Sequence, residues 1–129
     1  RIKNFLEFKK FSRLFVIQKE LYEEDEMVLK NEEDIIFLGK HDKWKDFEDT
    51  SAIVKNMDFI ISIDTSLIHL AGSMNKRSLL LLSNPADWRW TEDNNTTPNW
   101  YNSIKILRQK KIGSWESVIK EALEEVKKF

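Results

Sequence analysis

In MDFIISIDTSLIHLAGSMNKRSLLLLS, residues 57–83, two apolar runs bracket a short helical pattern. Phe59 to Ile63 reads as a strand. TSLIHLAGSMN (65–75) reads as a helix, with Leu67, Leu70, Ala71 and Met74 at helical spacing on one face. Asn75 suits the left-handed conformation that stops a helix. SLLLLS (78–83) has the continuous apolar character of a strand covered on both faces. A strand–helix–strand order implies a parallel pair, and this decides for an α/β fold.

The same alternation extends outward. SIKILRQ (103–109) is a further strand. SWESVIKEALEEVKKF (114–129) is the clearest helix, with Ser114 as cap, Ser117 three residues on, and Val118, Ile119, Ala122, Leu123 and Val126 as its apolar stripe. NPADWRWTEDNNTTPNWYN (84–102) reads as a long polar loop studded with aromatics. Towards the N-terminus, LFVIQK (14–19) and Ile35–Leu38 read as strands, the second ended by Gly39. KNFLEFKKF (3–11) suggests a short amphipathic helix, and the acidic ELYEEDEMVLKNEED (20–34) a helix or loop with a solvated face. HDKWKDFED (41–49) reads as a loop, with Asp49 or Thr50 capping a helix over SAIVKNM (51–57). The expectation is one Rossmann-like domain over residues 1–129, an open parallel sheet of about five strands with helices on both faces.

Composition removes several classes of function. The chain has 129 residues, 41% hydrophobic and 33% charged, which is globular rather than disordered. Its 21 basic and 22 acidic residues leave a net charge of -1, so charge gives no argument for nucleic acid. It contains no cysteine, which excludes disulfides, thiol catalysis and cysteine metal sites. No apolar run approaches the roughly 20 residues of a membrane span, and RIKNFLEF does not have the form of a signal peptide. The sequence lacks an initiator methionine, as expected of a piece of a longer protein or of a chain trimmed at its start.

In an open parallel sheet, ligands bind outside the carboxyl ends of the strands. The polar residues predicted there are Gln18 and Lys19, Gly39 to Asp46, Asp64–Thr65–Ser66, Asn84 to Trp90, and Arg108 and Gln109. Asp64–Thr65–Ser66 also opens a helix, where free N–H groups and the helix dipole favour an anion. Asp64 is equally explained as an N-cap. His69, three residues after Ser66, is either a binding or a structural histidine; His41 has no zinc-site spacing to it. In DWRW, Trp88 or Trp90 can stack on a ring or sugar and Arg89 can reach an anion. Alternatively these aromatics pin the loop and Arg89 pairs with Asp87. No glycine-rich phosphate loop of the GxGxxG or GxxxxGKS kind is present.

FVIQK, DFEDTSAIVKNMDFIISIDTSLIHLAGSMNK, LLLLSNPADWRW and PNWYNSIKILRQKKIGSWESVI together resemble the C-terminal domain of heptosyltransferase-like glycosyltransferases of GT-B fold. The bacterial subgroup often fused to tetratricopeptide repeats is the most similar. The resemblance implies a domain that binds a nucleotide sugar as donor. Thr65 and Ser66 would meet its diphosphate, His69 would sit beside phosphate or sugar, and Lys19 would supply a cation. Gln18 and Gln109 are further candidates, Asp64 would shape the turn, and Phe47 would lie near the base. No catalytic residue is assigned, and neither metal nor other cofactor is expected.

The family's Gly-Lys-Pro is here Asn75-Lys76-Arg77, its WYP ends in Asn102, and Glu20 follows the IQK segment. The N-terminal acceptor domain, source of the usual base, is expected to be absent. The isolated chain is therefore expected to bind a nucleotide or sugar nucleotide weakly and to transfer no sugar, in the cytoplasm, with the missing domain or a second copy of itself as partner. The competing expectation is a non-catalytic interaction domain that retains the fold, its loop aromatics facing a partner.

Overall fold

A computed structural model describes residues 1–90 and 100–129. The expected loop over 84–102 therefore lies partly outside the described residues. The chain is α/β with parallel sheets, and its residues gather into two compact units, 1–46 with 123–129, and 47–122.

The second unit carries the strand–helix–strand pattern. Strand β3 (Ile60–Ser62) leads into helix α3 (Ser66–Ser73), then strand β4 (Ser78–Leu82) and later strand β5 (Ile104–Arg108). The three strands pair in parallel in the order β3–β4–β5, with Leu80 opposite both Ser62 and Ile106. All five residues of β4 are buried, as its unbroken apolar run requires. Leu80, Leu82, Ile104 and Ile106 share one sheet face by strand alternation, and they pack with Ile68 of α3 and with Trp90. Asn75 follows α3 at a φ of 52°, the left-handed geometry expected of it. Helix α2 (Phe47–Asn56) precedes β3.

Several sequence expectations need correction here. Helix α2 begins at Phe47, so Asp49 and Thr50 lie inside it rather than capping it, and Phe47 is its first residue, not part of a loop. Glu48 and Asp49 fill the first turn, where the helix dipole favours carboxylates. The buried face of α3 is Ile68, Ala71 and Gly72; Leu67, Leu70 and Met74 are only half-buried. Its apolar residues offer two stripes at the same period, and packing on β4 selects one. Within the loop, Trp88–Trp90 forms a 3-10 turn that drives Trp90 into the core. Helix α4 (Glu116–Lys127) starts two residues beyond Ser114, and it buries Val118, Ala122 and Leu123.

The first unit is a smaller version of the same idea. Strand β1 (Phe15–Val16) and strand β2 (Ile36–Phe37) pair in parallel around helix α1 (Glu23–Asn31). Both strands are shorter than the sequence suggests. The N-terminal helix, Ile2–Lys10, is of 3-10 type. The acidic run is not only a solvated face: Asp25 is buried, and its Oδ1 accepts the Ile2 N–H at 2.7 Å. The carboxylate thus satisfies an N–H that the helix itself leaves open. The pairing observed is of two and of three strands.

Candidate functional site

The start of α3 is built by β3. That strand ends at Ser62, the chain turns through Ile63 and Asp64, and Thr65 stands at the N-cap in extended conformation. Neither Asp64 nor Thr65 caps the helix by a side-chain hydrogen bond in the ordinary way. Thr65 is the N-cap residue and makes none to the helix; its Oγ1 lies 3.2 Å from Ser62 Oγ. The Ile68 N–H reaches back to the Thr65 carbonyl at 3.2 Å, which leaves the N–H groups of Ser66 and Leu67 at the exposed end. Thr65 and Ser66 are both exposed. The geometry therefore speaks against simple capping by Asp64.

Asp64 instead faces His69 one turn on, with Oδ1 3.8 Å from Nε2. The other ring nitrogen, Nδ1, is 3.2 Å from the Tyr101 hydroxyl. The imidazole stacks on Trp90 at 5.0 Å between ring centres and 27° between planes, and meets Tyr101 edge-on at 5.8 Å. His69 is therefore both structural and partly open: two aromatic rings hold it while Nε2 is turned towards the opening of α3. Trp90, 0% exposed, supports the histidine from below and has no surface on which to stack a ligand, contrary to one of the sequence alternatives.

The remaining candidates are spread along the strand ends. Trp88 is 75% exposed, and Trp100 donates its indole N–H to the Arg89 carbonyl at 3.1 Å. Arg89 pairs with Asp87, Nε to Oδ1 at 3.0 Å, so an incoming anion would have to compete with that carboxylate. Gln109 is buried after β5, and its Oε1 accepts the N–H groups of Asn84 at 3.3 Å and Gly113 at 3.4 Å. Its Nε2 is buried with no hydrogen-bond partner among the described residues. Arg108 donates to the Trp90 carbonyl, and burial pushes its guanidinium down from the ordinary value.

Gln18 and Lys19 belong to the first unit. The Gln18 amide donates to the Glu20 carbonyl. Lys19 sits 4.8 Å over the Trp44 ring and 3.5 Å from the Lys45 carbonyl. Both side chains are exposed.

The residues that organise His69 are ones to which the sequence pattern gives other places. Trp90 and Tyr101 look like loop aromatics in the sequence. Gly72 stands there only as part of an HLAG string, yet a Cβ on it would meet Tyr101 Cγ at 2.5 Å. Lys76 also acts locally. Its ammonium donates to the carbonyls of Lys55 and Met57 at 3.0 and 2.6 Å, closing the C-terminal end of α2. Among the described residues, no group of three or more His, Asp or Glu is placed to share a metal ion, and no helix is long and apolar enough to cross a membrane.

Over 58 residues, 45% of its length, the chain is 34% identical to "Putative lipopolysaccharide heptosyltransferase 4" of Escherichia coli (strain K12). The matched stretch covers 16% of that protein. No family model matches the chain, and no solved structure matches it. The likeness supports a glycosyltransferase-like relationship at that coarse level.

Proposed function

We propose that this chain is the donor-binding, C-terminal part of a GT-B glycosyltransferase of the heptosyltransferase-like kind, in the subgroup associated with tetratricopeptide repeats. On this reading its strands belong to one five-stranded Rossmann-like half. The start of α3 holds the diphosphate of a nucleotide sugar. The observation that carries the reading is the uncapped, exposed end of α3 after β3, with two hydroxyls and a histidine beside it. The partial likeness to a heptosyltransferase supports the same class.

The chemistry asked of the chain is binding, not bond-making. The Ser66 and Leu67 N–H groups and the positive end of the α3 dipole would meet phosphate oxygens. The Thr65 and Ser66 hydroxyls would add donors, and His69 would add one more. Gln109, through its Nε2, would be a secondary contributor, while Trp88 would offer its exposed face to a ring. The isolated chain would not transfer sugar, because the acceptor-activating base belongs to another domain; single-chain turnover with any donor would refute that.

Titration with UDP, GDP, ADP and CMP, followed by tryptophan fluorescence and calorimetry, tests the reading. One nucleoside diphosphate should give a saturable signal that Thr65→Ala/Ser66→Ala removes. The second reading, an interaction domain, is favoured by the exposure of Trp88 and Trp100. It predicts that the double variant leaves partner capture unchanged while Trp88→Ala abolishes it.

A further inference from the structure

His69 is gripped by groups that none of its sequence neighbours supplies. Gly72 lies three residues on, hence on the same side of α3. Its missing Cβ admits the Tyr101 ring, which a methyl would meet at 2.5 Å from Cγ and 2.7 Å from Cδ1. That ring packs against the core of Ile68, Leu80 and Ile104, and its hydroxyl lands 3.2 Å from Nδ1. Trp90 covers one face of the imidazole. Nε2 is left 3.8 Å from Asp64 Oδ1, beyond hydrogen-bonding distance, at the mouth of α3.

We infer that Tyr101 is a positioning residue: its hydroxyl donates to Nδ1 and holds neutral His69 in the tautomer that carries its proton on Nε2. A neutral imidazole has one donor and one acceptor nitrogen, so the bond at one decides the other. The opposite tautomer would turn the Nε2 lone pair towards the Asp64 carboxylate, an arrangement of like polarity. The Tyr101 hydroxyl can donate or accept; with Asp64 disfavouring the opposite tautomer, it donates to Nδ1 and holds the form with its proton on Nε2. The site then presents an N–H beside the first turn of α3, suited to an acceptor-rich anion such as a phosphate oxygen. The identity of that ligand rests on the proposed function; the tautomer does not.

Long-range proton–nitrogen NMR of the imidazoles, recorded well above their titration and assigned with His69→Gln, reads the tautomer directly. His69 should show a single form protonated at Nε2. Tyr101→Phe keeps the ring but removes the hydroxyl, and should return His69 towards the mixture of a free imidazole. Gly72→Ala, by displacing the ring, should do the same. A protonated Nδ1 in the wild type, or a Tyr101→Phe spectrum equal to the wild type's, overturns the inference. With UDP as probe, Tyr101→Phe should bind roughly three- to tenfold more weakly, the loss of one neutral hydrogen bond. If none of UDP, GDP and ADP binds the wild type, the phosphate-site reading fails, whereas the NMR result still decides the tautomer.

Discussion

Every residue of β4 is buried in the unit of residues 47–122, whereas β1 and β2 in the other unit leave theirs half-buried or exposed. The larger unit is held by apolar packing of Ile68, Leu80, Leu82, Trp90, Ile104 and Ile106. The smaller one carries ion pairs that join its helices to each other and to turns, Arg1 to Glu24 at 3.5 Å, Lys9 to Asp34 at 3.2 Å and Lys40 to Glu26 at 3.0 Å. Exposed pairs of this kind contribute little, because water and salt screen them. The alternation of strand and helix is common to both units. What differs is how much apolar surface each strand can bury, and the candidate anion site is mounted on the unit that buries more.

Removing Trp90 is the severest way to break the contrast. Trp90→Ala empties a fully buried site and takes away the ring under His69, so it should cost about 3–5 kcal/mol. Urea denaturation would measure it, and a cost near zero would refute the packing account. Hydrogen exchange sharpens the contrast without mutation. Amides of β4 and β5 should exchange on the order of a hundredfold more slowly than those of β1 and β2, since opening free energy follows buried packing. Equal protection would erase the distinction between the units. Gly72→Ala should cost about 1–3 kcal/mol by overpacking against Tyr101, read in the same denaturation experiment.

These effects also mark what the sequence can and cannot reveal. The stretch 57–83 is legible because its signals are local: apolar runs, a helical period and an asparagine at a left-handed stop. The burial of Trp90 is not, because Asp87 and Arg89 make its surroundings look polar while Ile104 and Ile106, its packing partners, come from a distant strand. The same reason hides the tie from Tyr101 to His69, which spans 32 residues. The start of α2 is easily misplaced because Asp49 and Thr50 are good caps, and only the acidic first turn hints at an earlier beginning. At the candidate site, Asp64, Thr65, Ser66 and His69 stand out as a local motif. Gln18 and Lys19 enter as the end of a predicted strand and by resemblance, and they reside in the other unit.

The smallest expected effect belongs to the smaller unit. Lys40, through a hydrogen bond and its charge, holds the Glu26 carboxyl below its ordinary value of 4.5. A lowered folded-state pKa adds stability above the unfolded value, and that stability is lost as pH falls through the folded one. Glu26→Gln should therefore flatten a shallow acid-side decline below about pH 4.5, the ordinary value of that carboxyl. Added salt should weaken the effect. A steep acid transition abolished by this one change would mean that the ion pairs do more than the comparison allows.

The proposed function stands or falls with an anion bound at the uncapped start of α3. Backbone amide NMR during a titration with UDP, GDP and ADP tests it most directly. One of them should shift the amides of Ser66, Leu67 and Ile68 first and furthest, together with the His69 side chain, and Thr65→Ala/Ser66→Ala should suppress the response. Shifts confined to other segments, or none at millimolar nucleotide, would contradict it.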